Sequence, residues 1–138
     1  MNYTIDTNKS LLDIELIHDY LSNQSYWAKG ITKEKVEKVI KNSLCFGVYA
    51  NDQQVGLARV VTDYVRMAYL ADVFILKEHQ GKGVGKQLMK VIMEYPALVD
   101  VSRWALLTKD AHGLYRQFGF VELSNPEWYM EIDRKLME

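Results

Sequence analysis

The feature that most restricts how this chain can fold is a change of character between residues 67 and 92. Residues 67–76, Met-Ala-Tyr-Leu-Ala-Asp-Val-Phe-Ile-Leu, form an apolar extended stretch. Glycines then alternate at 81, 83 and 85, and apolar residues return at Val84, Leu88, Val91 and Ile92 on one face of a helix. A strand that turns through glycines directly into a helix leaves successive N–H groups uncovered at the positive end of that helix. Such a loop can hold a pyrophosphate by its main chain alone.

Spacing selects among loops of this kind. A Walker loop needs Gly at 80 and Ser or Thr at 87, where this chain has Gln80 and Gln87. The dinucleotide fingerprint needs Gly or Ala at 86, which is Lys86, and no βαβ unit precedes it. What remains is Gln80-Gly81-Lys82-Gly83-Val84-Gly85, of the form Gln/Arg-x-x-Gly-x-Gly/Ala. A second segment, 108–120, runs Thr-Lys-Asp-Ala-His-Gly-Leu-Tyr-Arg-Gln-Phe-Gly-Phe.

The two motifs, in this order and separation, resemble the GNAT superfamily of N-acetyltransferases. The second family motif has the form Asn-x-x-Ala-x-x-Leu-Tyr-x-x-x-Gly-Phe. This chain matches it at Ala111, Leu114, Tyr115, Gly119 and Phe120, and departs from it at Thr108.

Composition narrows the alternatives. With 138 residues, 49% hydrophobic and 25% charged, the chain suits one globular domain spanning 1–138. A net charge of −1 gives no broad field for nucleic acid or an acidic membrane. Lys33, Lys35, Lys38 and Lys41 alternate with Glu34 and Glu37, as on a solvated helix face. The first residues have neither a basic nor an apolar signal region, and no apolar run is long enough to span a bilayer, so a cytoplasmic location is expected. Cys45, the only cysteine, lies in the apolar run 44–49 and reads as a small buried hydrophobe. No metal is expected.

Periodicity predicts a helix over 11–21, a loop over 25–30 carrying Tyr26 and Trp27, and a helix after Thr32 that buries Val36, Val39 and Ile40. Strands follow at 44–50 and 55–62 around a turn at 51–53, then at 67–76. A helix from Val84 stops before Pro96. A strand over 102–108 should lie parallel to 67–76 through that crossover, followed by a short helix at 111–117. Segments 120–123 and 128–132 alternate as a closing hairpin would. The expected architecture is one α/β domain with a mostly antiparallel mixed sheet, one parallel strand pair and flanking helices.

The resemblance implies that the parallel pair splays around acetyl-coenzyme A. It implies contacts from Gln80, Gly81, Lys82, Gly83, Val84, Gly85 and Lys86 to the pyrophosphate, and pairing of the pantetheine arm with main chain at Val73, Phe74 and Ile75. Thr108, Ala111 and Tyr115 would border the cofactor. It further implies direct attack by an amine on the thioester, with Tyr115 donating a proton to the leaving thiolate. A phenol of pKa about 10 can serve a thiolate whose acid ionises near about 8.5.

The amine's own proton has several candidate acceptors. Strict alternation places Leu70, Asp72 and Phe74 on one face of the strand. An acid inside such a strand is either paired or functional. Asp72 therefore either binds and deprotonates the acceptor ammonium or forms an ion pair with Arg59 or Arg66. Asp63, His112 and water are the other acceptors. Tyr26 and Trp27, with Trp128, are candidates for the acceptor side, where aromatic rings suit an alkylammonium. The expected reaction is acetyl transfer from acetyl-coenzyme A to a primary amine of a small molecule, with copies of the chain able to pair through sheet edges or C-terminal strands. The alternative is a non-catalytic acyl-coenzyme A binding or sensing module; retention of Tyr115 and Asp72 favours the enzyme.

Overall fold

Five strands form one sheet in the order β1-β2-β3-β4-β5 in a computed structural model that describes residues 2–135. They are β1 (Tyr3–Asp6), β2 (Leu44–Ala50), β3 (Gln53–Thr62), β4 (Met67–Ile75) and β5 (Arg103–Leu106). All neighbours are antiparallel except β4 and β5, which pair in parallel. The crossover between them carries α3 (Val84–Met93), as the apolar spacing predicts.

Both faces of the sheet are covered, because its strands supply apolar side chains to each. On one face Phe46, Val48, Val60 and Leu70 pack with Leu88, Met89 and Ile92 of α3 and with Tyr115. Tyr115 belongs to the short α4 (His112–Arg116). On the other face Cys45, Leu57 and Phe74 pack against Ile17 and Leu21 and against Val36 and Ile40 of α2 (Lys33–Lys41). Ile17 lies in α1 (Ile14–Asp19).

Local chemistry sets the element ends. Asp13 accepts the Leu16 N–H and Thr32 accepts the Lys35 N–H, so both helices on this face start on side-chain caps. The predicted helix over 11–21 is three pieces: a 3-10 turn at Lys9–Leu11, α1, and a π turn at Tyr20–Gln24. The hairpin between β2 and β3 turns through Asn51 and Asp52, both at positive φ of 53° and 65°. That two-residue turn leaves Gln53 and Gln54 inside β3, ahead of the expected start at 55. Strand β5 is shorter than 102–108.

One element goes unpredicted and one expected pairing fails. The N-terminal strand β1 was not signalled, since four residues are too few to establish a period. The alternating segments 120–123 and 128–132 make no ladder among the described residues; a 3-10 turn at Pro126–Trp128 interrupts them. Alternation reports a half-buried surface and cannot supply a partner strand, and here only Phe120 packs inward, against Trp104 and Tyr115.

Candidate active site

The parallel ladder is short. Met67 to Leu70 pair with Arg103 to Leu106, and beyond Leu70 strand β4 continues with β3 alone. The side of β4 facing away from β3 is therefore open from Ala71 to Ile75. Arg59 pairs with Ala71 and Leu57 pairs with Phe74, so Ala58 alone faces both Asp72 and Val73. This is a bulge, and Asp72 sits at its left-handed position with φ 51°. The extra residue breaks alternation: Leu70 packs on the α3 face and Phe74 on the α1 and α2 face, so they do not share a side as strict alternation required. Phe74 stacks on Tyr20 with ring centroids 4.0 Å apart, leaving only its main chain toward the cleft.

At the end of β4 the chain makes a 3-10 turn at Lys77–His79 and enters the glycine loop. The Gln80 amide donates to the Ile75 carbonyl at 2.9 Å, which closes the turn from within. Gly81 and Gly83 take φ of 77° and 78°, conformations that L side chains rarely adopt. A Cβ at either position would meet nothing within 4 Å, so backbone angle rather than crowding demands glycine there.

Gly83 caps α3 without a side-chain bond, and the first bond into the helix runs from the Gln87 N–H to the Gly83 carbonyl at 3.1 Å. The N–H groups from Gly81 to Lys86 have no hydrogen-bond acceptor among the described residues. Those donors, with open space above them, fit a pyrophosphate. Lys82 and Lys86 flank the loop with exposed side chains.

The second motif lies against the first, since a Cβ on Gly85 would touch Leu114 Cδ2 at 3.7 Å. Thr108 accepts the Ala111 N–H at 3.0 Å and so shapes the entry to α4. Tyr115 is buried, with 8% of its surface exposed, and its hydroxyl has no hydrogen-bond partner among the described residues. Burial pushes its phenol up to about 12, with smaller contributions from Tyr26 and Asp110.

The aromatic loop spans the gap between the two strands. The Tyr26 hydroxyl accepts the Lys109 N–H at 2.8 Å on the β5 side, and the Trp27 indole donates to Asp72 Oδ1 at 2.8 Å on the β4 side. The two rings meet edge to face at 5.0 Å. Asp72 Oδ2 accepts Arg59 Nε at 2.7 Å, and Arg59 Nη1 donates to Ser43 Oγ at 3.0 Å. Of the two readings of Asp72, the geometry displays the ion pair, with Arg59 and not Arg66 as the partner.

Other candidates lie elsewhere. Asp63 accepts the N–H groups of Val65, Arg66 and Met67, which fixes the β3–β4 turn at the opposite end of the strands and lowers its carboxyl pKa. His112 is exposed at the start of α4. Trp128 is 74% exposed beside the C-terminal segment, where its neighbour Tyr129 accepts from Arg103 at the far end of β5. Cys45 is buried and its thiol is pushed up to about 11 by desolvation, which matches a packing role. Ser43, Tyr20 and the Lys109 N–H join the site without any signal in the motifs.

A family model described as an acetyltransferase (GNAT) domain matches residues 41–122. The chain is 45% identical to an inferred GNAT-family acetyltransferase of Xanthomonas campestris pv. campestris, whose crystal structure superposes with a TM-score of 0.94 over 96% of this chain and 94% of that one. It is 31% identical over 137 residues to an inferred acetyltransferase of Gibberella zeae, a match spanning 83% of this chain and 76% of that protein. An inferred acetyltransferase of Clostridium acetobutylicum, determined with acetyl-CoA, is 14% identical and shares the fold, with a TM-score of 0.69 over 98% of this chain and 97% of that one.

Proposed function

The chain belongs to the GNAT acetyltransferase family, and from that premise we propose that it transfers an acetyl group from acetyl-coenzyme A directly to the primary amine of a small molecule. The observation that carries the reading is the run of unpaired N–H groups from Gly81 to Lys86, in contact with the helix that presents the free Tyr115 hydroxyl. The Clostridium protein of the same fold was determined with acetyl-CoA, which supports the same cofactor here.

When bound, acetyl-coenzyme A supplies an activated thioester and a thiolate leaving group. The glycine loop holds phosphate through main-chain donors, and Lys82 and Lys86 screen the remaining charge. Main chain at Val73, Phe74 and Ile75 offers the open edge of β4 to the pantetheine amides, as an added strand would use it. A backbone N–H near Val73 serves the thioester oxygen as its charge develops. Thr108 and Ala111 set the start of α4 and so the direction of Tyr115.

Tyr115 keeps its proton throughout the neutral range, because its ionisation lies near 12. Its unpartnered Oη can then donate to the departing sulfur. Tyr26 and Trp27 form an aromatic wall on the acceptor side, suited to the alkyl part of an amine. Asp72 already carries a donor on each oxygen, Asp63 is at the other end of the strands, and His112 faces solvent. In this reading water takes the amine's proton.

The test is release of free thiol from acetyl-coenzyme A against a panel of polyamines, amino acids, aminoglycosides and peptides. Turnover with a small amine is the expected result. Coenzyme A binding without turnover on any acceptor would instead mark a binding or sensing module, and turnover on peptides alone would overturn the small-molecule acceptor.

A further inference from the structure

We propose that Asp72 is a positioning residue rather than the base of the reaction: it anchors the aromatic loop across the mouth of the cleft and so sets how the acceptor is held. This rests on the acetyltransferase reading for its kinetic consequence, but not for its structural one.

The bulge puts a non-glycine residue at φ 51°, which costs free energy unless its surroundings compensate. Here the compensation is visible. Arg59 holds one carboxylate oxygen from behind, on the α2 side of the sheet, and is itself held by Ser43, whose hydroxyl donates to the Val39 carbonyl at 2.7 Å. The other oxygen takes the Trp27 indole N–H. The side chain of Asp72 is only 9% exposed and that of Arg59 16%, so their ion pair is partly shielded from water, whereas the bond from the Trp27 indole lies at the surface.

A base needs a lone pair directed at the substrate; each Asp72 oxygen keeps one beside its bond to Trp27 or Arg59, but both oxygens are oriented by those partners. What the arrangement does well is transmit position. Trp27 is fixed on β4, Tyr26 is fixed on the loop after β5 through the Lys109 N–H, and the two rings are in contact. The loop is thus tied at one point on each side of the gap, with the ring contact coupling the ties. Cutting the tie at Asp72 should loosen the one at Lys109, although Asp72 lies on β4 and Lys109 on the loop after β5.

Three variants separate positioning from catalysis. Trp27→Phe keeps a ring and removes only the N–H. Asp72→Asn keeps an oxygen for the indole and removes the charge. Asp72→Ala removes both. On the chain without ligand, amide hydrogen exchange should show the Lys109 N–H exchanging about tenfold faster in Trp27→Phe and in Asp72→Ala than in the parent, with less change in Asp72→Asn. Coenzyme A affinity by calorimetry should stay within about twofold in Trp27→Phe, because the phosphate loop is not part of this network.

For any amine the parent acetylates, Trp27→Phe should raise acceptor KM by about tenfold with kcat little changed, and Asp72→Asn should retain most of the parental kcat and the same acid limb of the pH profile. A Lys109 N–H unmoved in Trp27→Phe would overturn the tie, whether or not the protein turns over any amine. A loss of kcat in Asp72→Asn as deep as in Asp72→Ala, with Trp27→Phe normal, would return Asp72 to the role of base. If Asp72→Asn fails to fold because Arg59 is left without its counter-charge, Trp27→Phe decides alone. Failure of the parent to bind coenzyme A would count against the acetyltransferase reading and leave the exchange result standing.

Discussion

The two ends of the cleft are built from different materials. The end proposed to hold phosphate is main chain: consecutive N–H groups, two glycines at positive φ and a helix start, all supplied by one segment. The end proposed to hold the acceptor is built by side chains: Tyr26 reaches the Lys109 N–H and Trp27 reaches Asp72, each across a long stretch of sequence, and Arg59 reaches Ser43 at the neighbouring strand. A main-chain site depends on backbone angles that few residues permit, so substitution there is restricted and its chemistry constant. A side-chain site can change its ligand by exchanging residues while the sheet stays the same. In this chain a main-chain loop thus faces a cluster of linked side chains across the proposed cleft.

The comparison can be broken at several places. Tyr115→Phe preserves the packed ring and removes only the donor. Turnover should fall by about 10²-fold in kcat and kcat/KM alike, with acetyl-coenzyme A affinity little changed. Steady-state kinetics at saturating cofactor reads this, and parental kcat would remove Tyr115 from the chemistry.

Gly83→Val should come next. Its φ of 78° strains any L residue by about 1–2 kcal/mol, so the variant lowers the melting temperature as well as coenzyme A affinity, the latter by about tenfold. Open space around the missing Cβ means that the effect comes from the backbone and not from a clash. Calorimetric titration together with thermal unfolding separates the two losses. Lys82→Ala and Lys86→Ala should each cost only about threefold in affinity and reduce its salt dependence, since exposed charges at a loop are screened. A lysine variant weaker than Gly83→Val would make the site a side-chain one after all.

Two pH effects follow from burial. Tyr115 has a folded pKa near 12, raised above the ordinary value of 10.0, so its contribution to stability is complete below about pH 10 and is lost as pH rises toward 12. Its ionisation therefore does not limit activity at neutral or mildly alkaline pH, and Tyr115→Phe should flatten the stability loss measured above pH 10. Cys45, pushed up to about 11, should resist a thiol reagent at pH 8 in the native protein and react fully once unfolded. This has the smallest bearing on function and the clearest readout.

Much of the donor side was legible in the sequence because its physics is local. Glycine spacing, the apolar period of α3 and the crossover argument place the loop, the helix and the parallel pair without knowledge of any distant residue. The acceptor side was legible only as residue types. Asp72 stood out as an acid in an apolar strand, and Arg59 was one of two possible partners. The bulge that moves Phe74 to the opposite face from Leu70 has no sequence signature, since period-two reasoning assumes one residue per ladder step. Tyr26 bonding a main-chain N–H at Lys109 is equally silent, because any residue supplies that donor. The C-terminal segments show the converse: their alternation is real and their partner is absent among the described residues.

The most direct test follows each backbone N–H while coenzyme A is added to isotopically labelled protein. The account predicts that the largest amide shifts, with slowed exchange, fall on Gly81 to Lys86, followed by the open edge of β4 from Val73 to Ile75, while residues 25–30 respond weakly. Saturable binding with its largest shifts in residues 25–30 or in the C-terminal segment, and an unmoved glycine loop, would contradict it.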